Sequence, residues 1–302
     1  MLLYGVMQPV LALQGKTLSP LSFDTAKVNS VEYFEQAGAQ PTVQRARYVG
    51  AAIRLGYLLE DSQLWQQHAV NLPLVGLCVP DSPSMVEASF YTALGLLNAA
   101  TANPADPAGN MAQALALREK FAVWAQGCEA NFQHKHLLLS AEIARVQGDE
   151  KAAMDLYARA IAAAQLAHFP ACEALANELY ARFWLALGQE QLAMNFIQEA
   201  HFNYSRWGAS VKCAWLEAHW PQVPFKVQTP KYSSDSKSIA YRFDSDRVGA
   251  IDLHSLLKAS QMLAEEIQLD LLLQKMIGVL LENAGAEDWA ALDEADRAAH
   301  RA

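Results

Sequence analysis

The residue types best able to do chemistry in this chain are paired histidines, scattered carboxylates, two serines and four cysteines, and their spacing favours structural work for all of them. His134 and His136 form the most ligand-like pair. On a helix, residues two apart point about 200° apart, so they cannot share one metal ion unless the backbone is extended. No third ligand follows at metal-site spacing, and both are expected as ordinary surface or helix-start histidines. Glu173 and Glu178 would lie about 140° apart around one helix, a poor geometry for acid–base chemistry. Together with Glu199 and His201 they fit solvated or inter-helix ion pairs, with Glu178 placed to bridge adjacent hairpins. Ser140 and Ser210 lack the Gly-x-Ser-x-Gly context of a hydrolase nucleophile. Cys78, Cys128, Cys172 and Cys213 include no CxxC spacing, so zinc is not indicated, and they are expected as small core residues of a reduced cytoplasmic protein. Trp184, Trp207, Trp215 and Trp220 crowd one region and are expected as a capping layer, with a ligand pocket as the rival reading. No catalytic, cofactor-binding or metal-ligating residue is assigned, and no cofactor is expected.

The elements that must hold these residues are helices. Of 302 residues, 52% are hydrophobic and 18% charged, enough apolar material for a sizeable core. Much of it is Ala and Leu, strong helix formers. The net charge of −9 would repel phosphate backbones, so nucleic acid is not an expected partner. No run of eighteen apolar residues is present, so no membrane span is expected, and the apolar start lacks the basic segment of a signal peptide. It reads instead as a helix that has lost an upstream neighbour.

A repeat is legible. AEIARVQGDEKAAMDLYARAIAAA from Ala141 aligns with ARFWLALGQEQLAMNFIQEAHFNY from Ala181, a period of 40 residues between those two alanines. Ala141, Gly148, Ala153 and Ala160 fall on Ala181, Gly188, Ala193 and Ala200. Two antiparallel helices approach closely only where small residues meet, and the glycine relieves the turn between them. Larger residues such as Tyr157 and Ile197 fill the groove against the next helix. Upstream, 45–59, 84–99 and 111–125 carry helical periodicity, 103–110 is a turn-rich break, and 71–83 reads as a loop or extended connector. The fold class is therefore all-α: an α-solenoid of helical hairpins over 1–220, roughly ten helices at ordinary lengths. A linker over 221–250 and helices over 251–302 follow.

The small–Gly–Ala–Ala pattern resembles a tetratricopeptide-like (TPR-like) repeat with long helices, lacking the usual proline at the end of the second helix. The runs 128–161 and 171–221 resemble the helical region of very large bacterial proteins that combine a serine/threonine-kinase-like domain, an AAA-type ATPase, a TPR-like region, a GAF domain and a sensor histidine kinase. The segment 253–287 resembles the helix leading into the GAF domain of that family. Neither a GxxxxGK[ST] loop, an HRD or DFG set, nor a phosphoacceptor region occurs here, so no ATPase or kinase activity is carried over. The resemblance implies a fragment or truncated product that includes the start of a GAF domain.

The expected function is a non-enzymatic interaction or regulatory scaffold, binding a protein partner or neighbouring domains of the parent kinase and relaying its state to a GAF/histidine-kinase output. The rivals are a ligand-sensing repeat domain, which a cavity between repeats would favour, and a helical enzyme working at the tryptophan-rich end. The apolar stripe Leu256, Leu263, Leu272, Met276, Ile277 and Leu280 is the expected interaction helix, with homodimerisation through 251–284 as its consequence.

Overall fold

The structure, a computed structural model, describes residues 3–27, 29–30, 41–102 and 106–225. The expected linker beyond residue 225 and the interaction stripe from Leu256 to Leu280 lie outside the described residues. Among those described there are eleven helices and no membrane-length apolar helix. They are α1 (Leu3–Leu13), α2 (Val43–Leu58), α3 (Ser62–Ala69), α4 (Leu72–Cys78), α5 (Pro83–Ala102), α6 (Pro107–Gly127), α7 (Glu129–Gln147), α8 (Glu150–Leu166), α9 (Pro170–Ala186), α10 (Glu190–Trp207) and α11 (Ser210–His219).

Local chemistry sets their ends. Thr42, Asp61, Asp106 and Asp149 each accept a backbone N–H three residues on, at 3.2, 2.6, 2.9 and 3.0 Å, satisfying donors that the first turn leaves open. Proline opens α5, α6 and α9, where its missing N–H is harmless. After α7 the chain reverses through Gly148 at φ +78°, and after α10 through Gly208 at φ +86°, the left-handed region that a Cβ disfavours.

Two expectations need correction. The segment 71–83 is not an extended connector, because it contains α4: Pro73 sits in the first turn of that helix, and Val75 is wholly buried. The turn-rich break at 103–110 is shorter than expected, since capping by Asp106 lets α6 begin at Pro107.

Packing is mainly sequential. Helix α2 packs on α3, α5 on α6, α7 on α8 and α9 on α10, while α2, α5, α7 and α9 also touch in succession. The hydrophobic core runs through all of them, with Phe90, Tyr91, Phe121, Tyr157 and Tyr204 essentially inaccessible. Burying a Phe90-sized side chain contributes roughly 1.5–3 kcal/mol. The end of the array then returns to its beginning. Helix α11 touches α1, Lys212 of α11 donates to the Leu58 carbonyl of α2 at 2.5 Å, and Arg54 of α2 lies 5.1 Å from the Trp207 ring. Val223 is buried and Phe225 stacks on His201, so packing continues past Trp220.

Candidate functional site

Each of the two best-defined hairpins buries a glutamate among hydrogen-bond donors. On α7, Glu142 accepts from Arg145 one turn on, at 3.1 Å (Nε) and 2.7 Å (Nη2), and from the Tyr157 hydroxyl of α8. On α9, Glu178 accepts from Lys212 Nζ at 2.8 Å, from the Tyr204 hydroxyl of α10 at 2.8 Å, and from Arg182. Both carboxylates are 1% exposed, a burial tolerable only with such pairing. Burial alone would raise the Glu178 carboxyl, but Lys212 and Arg182 outweigh it and hold the group ionised below its usual range. Burial, then the neighbouring carboxylates, push Tyr157 and Tyr204 well above the ordinary phenol, so both remain donors.

Beside this wall lies a cleft of about 580 Å³, lined by the C-terminal parts of α2, α5, α7 and α9 and by the start of α3. Arg145 and Arg182 line it at 26% and 32% exposure, and Glu60, 41% exposed, pairs with Arg182. Glu60 itself sits at φ +54°, an uncommon conformation outside glycine, in the turn between α2 and α3. Trp65 is seated between α2 and α5, its indole N–H donating to the Tyr91 carbonyl at 3.1 Å. Two glycines make that seat: a Cβ at Gly56 would come within 2.7 Å of the Trp65 backbone nitrogen, and one at Gly95 would overlap the indole ring. Tyr57 also lines the cleft. Its hydroxyl is buried with no hydrogen-bond partner among the described residues, although Glu142, Arg182, Glu178 and Arg145 all lie within electrostatic reach. A buried hydroxyl without a partner costs on the order of 1–3 kcal/mol, so it demands an explanation.

No family model, curated protein or solved structure matches the chain.

The histidine pair divides. His134 is 2% exposed, which corrects its reading as a surface or helix-start residue. Its Nε2 lies 3.3 Å from Lys135 Nζ, and its ring stacks on Phe169. Burial, then the Lys135 charge, press its pKa down to about 3, so it is a neutral core imidazole. Lys135, 3% exposed, reaches Glu87 at 3.1 Å and Cys172 Sγ at 3.1 Å between the rings of Phe90 and Phe169. Among the described residues no three His, Cys, Asp or Glu converge as a metal site.

Ala141, Ala153, Ala160, Ala181, Ala193 and Ala200 are 0–1% exposed, and Gly148 and Gly188 hold φ +78° and +73° in the turns. Glu178 joins α9, α10 and α11, whereas Glu173 accepts from Gln165 at 2.9 Å. Ser140 donates to the His136 carbonyl at 2.8 Å. Cys172 and Cys213 are core residues, but Cys128 is exposed at the junction of α6 and α7 and Cys78 is half-buried, correcting the expectation for those two. Of the four tryptophans, Trp220 is buried, Trp215 lies 3.8 Å over the Lys212 cation and Trp207 faces Arg54. None of the four lines the cleft, whose tryptophan is Trp65. The sequence reading missed Tyr57, Glu60, Trp65, Glu142, Arg145, Arg182 and Lys212. One signal was present: Glu142 with Arg145, and Glu178 with Arg182, are charges at helical spacing inside otherwise apolar runs.

Proposed function

We propose that the chain is a non-catalytic regulatory module, an array of TPR-like helical hairpins that receives a small polar ligand in the cleft beside Glu142 and Arg182. The observation that carries this reading is the convergence of Arg145, Arg182 and Glu60 on the wall of a 580 Å³ cleft beside Tyr57, whose buried hydroxyl has no hydrogen-bond partner among the described residues. Sites for small molecules are concave spaces of roughly 300–1,000 Å³ with a few polar groups on an apolar wall. A cavity between hairpins favours ligand sensing over docking of a protein on a flat face. The non-catalytic reading is supported by saturation of the carboxylates: Glu142 and Glu178 are engaged by Tyr, Arg and Lys donors, which leaves neither poised as a base.

A route for the signal is available. Arg182 touches the cleft and Glu178, Glu178 holds Lys212, and Lys212 belongs to α11, the last helix before the chain continues beyond residue 225. On the family resemblance the output is a GAF/histidine-kinase segment and the location cytoplasmic; pairing of two copies through 251–284 would belong to that output. The test is thermal-shift screening of the full chain against a polar metabolite library. In parallel the screen is run on Ala186→Trp, which fills the cleft from an exposed position at the end of α9. Stabilisation of the wild type that the filled variant loses supports the reading. If no compound stabilises the wild type, or if the variant responds equally, the cleft is not the receptor.

A further inference from the structure

The charges around the cleft restrict what can enter it. Its lining carries Arg145 and Arg182 against Glu60, Asp61 and Glu142, so a bare anion would meet the acids and a bare cation the guanidiniums. These charges are differently committed. Glu142 is fully engaged, and Asp61 spends one oxygen on the Leu64 N–H as the cap of α3. Arg145 commits Nε and Nη2 to Glu142, leaving Nη1 uncommitted among the described residues. Glu60 is more solvent-open than Glu142, the cleft's other paired acid, and among the described residues it is joined to Arg182 alone. The Tyr57 hydroxyl, buried and without a partner among the described residues, lies within electrostatic reach of these groups. The cleft is also lined by the C-terminal parts of four helices, whose outward carbonyls carry partial negative charge and favour a cationic group.

We propose that the cleft binds a small zwitterion of the amino-acid class, its carboxylate meeting Tyr57 and the Arg145 and Arg182 guanidiniums, its ammonium meeting Glu60 and the helix ends. This rests on the reading of the cleft as a ligand site. The carboxylate supplies the acceptor that the Tyr57 hydroxyl lacks, and the planar guanidinium edge is suited to hold it. The ammonium replaces the charge that Arg182 gives Glu60 if that guanidinium turns to the ligand. The remaining volume, walled by Trp65 and Leu179, takes an apolar side chain.

A free amino acid and a short peptide present the same two charged ends at different separations. The probes are therefore the free L-amino acids singly and a set of alanine di- and tripeptides, added to the full chain with thermal unfolding and calorimetric titration as readouts. Each hit is compared with its N-acetyl derivative, which lacks the ammonium, and its decarboxylated amine; inorganic phosphate is run as a plain anion. The expected result is binding by one or more zwitterions, little or none by the capped and decarboxylated forms, and no response in Ala186→Trp. Tyr57→Phe supplies the discriminating variant. Because the hydroxyl has no partner, the unliganded variant should unfold at or above the wild-type temperature, yet bind the hit about tenfold more weakly. Equal affinity in Tyr57→Phe, or equal binding of the N-acetyl form or phosphate, overturns the zwitterion assignment. If no zwitterion binds but other metabolites do so in a manner sensitive to Ala186→Trp, the ligand class is wrong and the site survives. If nothing binds, both fall.

Discussion

At the scale of single residues, burial decides which ionisable groups can respond to pH. His134 titrates near 6.5 when unfolded but only at about 3 when folded, since its charged form would sit desolvated beside Lys135. Between those values the unfolded chain binds a proton that the folded chain does not. The His134 contribution is thus fully present above about pH 6.5 and falls as pH drops, by about 1.4 kcal/mol per unit. Urea denaturation should show the wild type losing about 2 kcal/mol more than His134→Gln between about pH 7 and pH 5. Equal losses would mean that His134 is solvated. Gly95 is the second residue-scale test. A methyl there overlaps the Trp65 indole, so Gly95→Ala should cost about 1–3 kcal/mol in the same assay and weaken any cleft ligand; unchanged stability would show that the indole is not seated against α5.

At the scale of helices, the turns separate conformational from steric demand. Gly148 and Gly127 both face open space, so a methyl would meet nothing at either position. They differ in backbone: Gly148 holds φ +78°, while Gly127 ends α6 without a positive φ. Gly148→Ala should therefore destabilise by about 1–2 kcal/mol. Gly127→Ala should be neutral, or stabilise by up to about 1 kcal/mol. Thermal unfolding of the two variants checks the pair, and equal effects would remove the case that the α7–α8 reversal depends on its glycine. The glycine turns of the two hairpins were legible, whereas α3 and its Asp61 cap were not anticipated. Proline at a first turn, aspartate before a helix and glycine after one act through backbone donors and acceptors within a few residues. The lapse at α4 has the same origin, since a seven-residue helix with Pro73 in its first turn is too short to display a period.

At the scale of the molecule, the buried Glu178–Lys212 pair ties the last helix to the interior and, through the Leu58 carbonyl, to α2. Glu178→Gln leaves the Lys212 ammonium buried without its counter-charge and should cost about 3–5 kcal/mol, whereas the double change to methionine at both positions should recover most of that loss. Chemical denaturation of Glu178→Met, Lys212→Met and the double variant tests the pairing by a mutant cycle. Additive losses would show that the two charges do not act as a pair. Burial presses Lys212 below its usual range while Glu178 opposes that push.

The sequence by itself determined the helical class, the 40-residue repeat of Ala141–Ala160 in Ala181–Ala200, and the glycine turns at Gly148 and Gly188, because periodicity and turn chemistry are local properties of the chain. It could also mark Glu178 as a residue able to bridge hairpins. Only the tertiary structure decided that Lys212 meets a carbonyl 154 residues away, that Glu60 meets Arg182, and that Tyr57, Trp65 and Arg145 face one cleft. Those meetings depend on how far each helix pair turns relative to the last. That angle is the sum of many packing contacts between side chains distant in sequence, and no local spacing records it.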